Sequence, residues 1–166
     1  TITGAEEYRQ LKRAFCGGFT HCSAWYSGQT MENVTSFDFT SSYPAVMIAE
    51  RFPMSRAELV PNITQEEFEK SLRLYCCIFD VNFINLRPKT HMEHFLSESK
   101  CYKIEGNYQP DNGRIVWADS VYTTLTEVDY KIMQQFYSWE RINISNFRRY
   151  RRGYLPTDFV KAVLKL

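Results

Sequence analysis

The sequence predicts an α+β fold, an antiparallel sheet with helices set against it, and three features carry that prediction. Residues 74–86, LYCCIFDVNFINL, are β-branched and aromatic with partial alternation, the pattern of a strand with a buried face. Asn112-Gly113, between residues 100–105 and 114–118, is the dipeptide of a tight hairpin turn. Thr64 with Glu67, and Thr126 with Asp129, are capping pairs three residues apart, and each marks a helix start.

The remaining elements follow in chain order. Residues 5–15 have helical periodicity, with Tyr8, Leu11, the stem of Lys12 and Phe15 on one stripe. Gly17-Gly18 ends that helix, either as a cap and turn or as a place where backbone amides approach a ligand closely. Residues 21–30 are irregular, with Trp25 and Tyr26 as surface or packing aromatics. Residues 34–39 read as a short strand, with Val34, Ser36 and Asp38 on one side and Phe37 and Phe39 on the other. It breaks at Thr40-Ser41-Ser42, and an apolar helix follows over 45–49. Pro44 suits the first turn of that helix, and Ser41 or Ser42 is the expected N-cap. Pro53 marks a boundary, because it disfavours helix at Phe52. Beyond it come a helix from Thr64 to about residue 72, the strand over 74–86 and a polar loop over 90–98. The hairpin then extends through residues 119–125, a helix opens at Thr126, a strand covers 139–150, and Pro156 starts a final helix over 157–166.

Composition bounds the function classes. Aromatics at 16% and apolar residues at 44% of 166 residues describe a folded chain with a sizeable core. The net charge is +1, so nucleic-acid binding has to rest on local clustering. The one strong cluster is Arg148-Arg149-Tyr150-Arg151-Arg152, which can meet phosphates and stack on bases, or can defend a strand edge with charge. Five cysteines, odd in number and without a C-x-x-C pair, fit reduced thiols in the cytoplasm. No apolar run is long enough to span a bilayer, so no membrane partner is expected. His91-x-x-His94 has helical metal-ligand spacing, but it lies in a loop and lacks a third ligand.

The chemistry is concentrated at Asp38. A carboxylate just ahead of a helix N-terminus, with its backbone donors and positive dipole, suits a divalent cation beside a phosphate. From spacing alone, an Asp followed by Ser-Ser reads first as a turn or capping residue. Asp38-Phe-Thr-Ser41-Ser42-Tyr43-Pro44 resembles motif A of the family B DNA polymerases, D-x-x-S-L-Y-P, with Ser42 where the family has Leu. Phe15-Cys16-Gly17-Gly18 is similar to the Y-x-G-G motif that precedes motif A, with Phe15 in place of Tyr.

The resemblance implies a DNA-directed DNA polymerase that uses Mg²⁺ or Mn²⁺, a template–primer and a dNTP. It makes Asp38 a metal-binding carboxylate, with the carbonyl of Phe39 as a further ligand. Backbone amides around Thr40, Ser41, Ser42 and Tyr43 would hold the β- and γ-phosphates, and Tyr43 would exclude a 2′-hydroxyl. The loop at Phe15, Gly17 and Gly18 would bind the template strand, and Arg148, Arg149, Arg151 and Arg152 would add DNA contacts. An α+β insertion after motif A, containing residues 120–129, resembles the terminal-protein region of protein-primed polymerases from bacteriophages and linear plasmids. That implies a terminal priming protein as a partner, in a bacterial host's cytoplasm. The expected divisions are a partial palm segment at 1–53, the inserted module, a small antiparallel sheet with helices, at 54–146, and a return to palm and start of the fingers at 147–166. The family's Y-x-D-T-D, K-x-x-x-N-S-x-Y-G and exonuclease D-x-E strings are missing, so the chain reads as a fragment, inactive alone and open to self-association. The alternative is a non-catalytic DNA or priming-protein binding module derived from a polymerase.

Overall fold

The computed structural model describes residues 4–20, 22, 26–91 and 93–165. It contains helices α1 (Ala5–Ala14), α2 (Ser42–Ala49), α3 (Gln65–Leu74), α4 (Glu127–Phe136) and α5 (Thr157–Val163). Its strands are β1 (Phe52–Pro53), β2 (Glu58–Leu59), β3 (Tyr75–Pro88), β4 (Cys101–Asp111), β5 (Arg114–Thr126), β6 (Tyr137–Ser138) and β7 (Arg141–Gly153). They form one seven-stranded sheet in the order β1-β7-β3-β5-β4, with β2 beside β7 and β6 beside β3. The pairings are antiparallel, so the expected α+β class holds.

The local signals act as their chemistry requires. Thr64 Oγ1 accepts from the Glu67 amide at 3.2 Å and starts α3. Thr126 and Asp129 close a reciprocal capping box that starts α4. Asn112 and Gly113 take φ values of 45° and 81°, the two positive angles that a primed two-residue turn demands between β4 and β5. Pro156 caps α5.

Alternation along β3 produces two packed faces. Cys77, Phe79, Val81 and Phe83 point into the main core, where α3 and α4 cover the sheet. Phe68 of α3 meets Phe79, Tyr130 and Phe147 edge-on, with ring centroids 5.1, 5.4 and 5.7 Å away. Edge-to-face contact places the positive rim of one ring on the negative face of the next. Cys76 and Ile78 point to the opposite face, where they join Ala14 of α1 and Tyr150. None of the cysteines is in a disulfide. Burial pushes the thiols of Cys77 and Cys101 up to about 12, so both stay protonated at neutral pH. No helix among the described residues is long and apolar enough to cross a membrane.

Two expectations are corrected. Residues 34–39 form no strand: the alternation is there, but no neighbouring strand pairs with it among the described residues, and Phe37 and Phe39 stand 91% and 85% exposed. On α1 the buried positions are Gln10 and Ala14, while Tyr8, Leu11 and Phe15 are exposed, because the sheet beneath presents a carboxylate that needs polar partners. Trp25 lies outside the described residues.

Candidate functional site

The Asp38 corner is open. Asp38 is exposed and has no hydrogen-bond or ion-pair partner among the described residues, so the side chain is not consumed as a cap or turn residue. Ser41 is the N-cap of α2, as expected, but it sits in the left-handed region at φ 54°, ψ 40° and its hydroxyl makes no capping bond. The helix begins with Ala45 donating to the Ser41 carbonyl at 3.0 Å, and Pro44 has no amide to satisfy. The amides of Ser42 and Tyr43 therefore carry no side-chain cap, and an uncapped helix start is a ready anion site. Tyr43 is 76% exposed beside them. Among the described residues no group of three or more His, Cys, Asp or Glu side chains could hold a metal, so Asp38 belongs to no such group.

The Gly17-Gly18 loop leaves α1 and runs along the β4–β5 hairpin. The helix ends at Ala14 with Phe15 as an extended C-cap, so no left-handed glycine terminates it. Neither Gly17 nor Gly18 has a positive φ, and a Cβ on either would meet nothing within 4 Å. Internal packing therefore gives no reason for two glycines here.

Beneath α1 lies a buried polar network centred on Asp80, which is only 3% exposed on β3. Arg13 Nη2 donates to both of its oxygens at 3.1 and 3.0 Å, Thr124 Oγ1 donates at 2.6 Å and Asn146 Nδ2 at 2.8 Å. Gln10 Nε2 reaches Asp80 at 3.4 Å and the Asn146 carbonyl at 2.8 Å. Asn146 sits at φ 49° where the β3–β7 register shifts, and that bulge aims its amide at the carboxylate. The network ties α1, β3, β5 and β7 together at the base of the glycine loop. Burial pushes the neighbouring Tyr102 hydroxyl up to about 12, and the charge of Asp80 adds to that.

The four arginines do not form one surface. Arg148 donates to Gln10 Oε1 under α1. Arg149 pairs with Glu58 at 2.7 Å and Glu67 at 3.2 Å, and lies 5.0 Å over the Tyr75 ring. Arg152 donates to the Arg73 and Leu72 carbonyls and approaches Glu127. Arg151 alone is exposed without a side-chain partner among the described residues. A cavity of about 1630 Å³ lies between α1, Val46 of α2, residues 50–57 and the start of β3, and none of residues 38–43 lines it.

Compared with known protein families, the whole chain, residues 1–166, matches the one described as DNA polymerase type B, organellar and viral. The chain belongs to that family. Comparison with curated proteins and with solved structures gives no match. In this chain the motif A-like corner is thus solvent-facing and the arginine run is largely structural. The Asp80 network and the hairpin side chains on the glycine loop had no signal in the sequence beyond an acidic residue within an apolar strand. His91 and His94, the other spacing of interest, belong to no such metal group either.

Proposed function

We propose that this chain is the motif A-bearing palm segment of a DNA-directed DNA polymerase that joins dNTPs to a 3′-hydroxyl, in protein-primed replication. The observation that carries the proposal is Asp38: exposed, without a partner among the described residues, and four residues ahead of the uncapped start of α2. In this reading Asp38 and the carbonyl of Phe39 offer hard oxygens that fit Mg²⁺ or Mn²⁺, and the second carboxylate comes from elsewhere in the complete enzyme. The bound metal supplies charge neutralisation at the triphosphate and activation of the 3′-hydroxyl. The amides of Ser42 and Tyr43, with Thr40 and Ser41, hold the β- and γ-phosphates at the helix start. The Tyr43 ring lies under the incoming sugar and rejects a 2′-hydroxyl by contact. Phe37 and Phe39, bare on both sides, are positioned to pack on the remainder of the palm.

Residues 54–146 form the inserted module that meets the priming protein, and its last strand, β7, is shared with the return segment at 147–166. Gly17-Gly18 contacts the template strand, which accounts for glycines that internal packing does not require. Arg151 is the arginine left to meet DNA.

Tyr43 supplies the test of nucleotide binding at this corner. In a complete polymerase carrying this segment, Tyr43→Val is expected to raise ribonucleotide relative to deoxyribonucleotide insertion by about 10²-fold, roughly the 2.7 kcal/mol of a removed steric clash. Single-turnover insertion of rNTP and dNTP measures that ratio, and an unchanged ratio would remove Tyr43 from the sugar site.

A further inference from the structure

We propose that Lys100, directly ahead of β4, and Asn112 and Arg114 of the β4–β5 hairpin are positioning residues for the Gly17-Gly18 loop, so that the inserted module sets where this loop meets DNA. The inference rests on the reading of that loop as a DNA-strand contact.

The described residues of the loop form no helix or strand, and its ends are held by side chains from the hairpin and from the residue just before it. Lys100 Nζ donates to the Phe15 carbonyl. Arg114 Nη2 donates to the Thr20 carbonyl at 2.9 Å, and Asn112 Nδ2 to the Cys22 carbonyl at 2.7 Å. Arg114 also lies 4.4 Å from the centre of the Phe19 ring, which stacks on Phe95 with centroids 6.5 Å apart. The loop is thus gripped at residues 15, 19, 20 and 22, and its middle, Gly17-Gly18, is bare.

The grip is itself fixed. The Asn112-Gly113 turn sets Asn112 and Arg114 at the hairpin tip, and Arg114 Nη1 is anchored on the Phe95 carbonyl at 2.9 Å. Thr123 Oγ1 holds the Lys100 carbonyl at 3.1 Å. A cleft of about 210 Å³ runs beside the two glycines and is lined by Lys100, Arg114 and Thr123. Each terminal nitrogen of Arg114 donates to a carbonyl, one on the loop and one on Phe95, and that pair of bonds fixes the guanidinium against the loop. A charge that orders a loop acts on DNA through the loop, and removing it should matter only while the loop binds.

The experiment is a double-mutant cycle on the full chain, read as affinity for a fluorescent primer–template by anisotropy. Gly17→Ala with Gly18→Ala, which the open space around both glycines accommodates, is expected to weaken binding about tenfold. Arg114→Gln alone is expected to weaken it by about as much, and to add less than about twofold on the alanine background. Lys100→Met repeats the cycle through a separate contact, so a variant that fails to fold does not decide the outcome. Amide hydrogen exchange should quicken at residues 16–20 in Arg114→Gln while β3 stays protected. Additive losses would overturn the proposal, because Arg114 would then contact DNA independently. A loss with the alanines but none with Arg114→Gln or Lys100→Met would overturn it too, leaving the loop reading intact. No loss with the alanines would overturn the loop reading itself.

Discussion

Asp38→Ala, made in a complete polymerase that carries this segment, is expected to cut primer extension by about 10³-fold or more. A bound divalent ion contributes several kcal/mol of transition-state stabilisation, and about 4 kcal/mol corresponds to that factor. Folding and template affinity should be unchanged, because Asp38 is exposed and has no partner in the described structure. The loss should fall on the chemical step: saturating dNTP should not restore the rate, and single-turnover extension reads this directly. A non-catalytic DNA or priming-protein module gives the opposite result. There, Asp38→Ala leaves synthesis untouched, and the acidic residue is an accident of a polar loop.

Asp80→Ala is expected to have the largest effect on stability, about 2–4 kcal/mol in urea unfolding. The upper end of the range for a broken buried pair is discounted, because Arg13 is 36% exposed and can rehydrate. Asn146 is exposed and can do the same, but Thr124, 3% exposed, cannot: it would keep a donor in the interior with its acceptor gone. The damage should centre on α1. Gln10 and Arg13 are its links to Asp80, so amide exchange within residues 5–14 should rise more than exchange in β5. A change below about 0.5 kcal/mol would mean that the network is a passive arrangement of side chains without consequence for α1 docking.

How much was legible follows from the range of each interaction. Thr64 with Glu67, Thr126 with Asp129 and Asn112-Gly113 act over two to four residues, and the structure uses each as its chemistry dictates. The β3 run was readable because both of its faces are buried, Cys76 and Cys77 on opposite sides. Residues 34–39 failed as a strand because alternation specifies faces but supplies no partner. The stripe on α1 failed for a related reason. Its true ligand, Asp80, lies 67 residues from Arg13, and no local pattern shows that a polar face will be the buried one. The arginine run was legible as a charge cluster on a strand. Its division among Gln10, Glu58, Glu67 and Glu127 depends on four other elements, α1, β2, α3 and α4. At the candidate site, the order of residues from Asp38 to Pro44 was readable, whereas the left-handed Ser41 and its idle hydroxyl were not.

The central claim is that Asp38 grips a catalytic metal ion against a nucleoside triphosphate. Its most direct measurement is the anomalous signal of Mn²⁺ in crystals of the complete polymerase with template–primer and dNTP. The account predicts a manganese ion within about 2.0–2.3 Å of an Asp38 carboxylate oxygen, with the triphosphate at the amides of Ser42 and Tyr43. An ion held wholly by other carboxylates, with Asp38 turned to solvent, would contradict it.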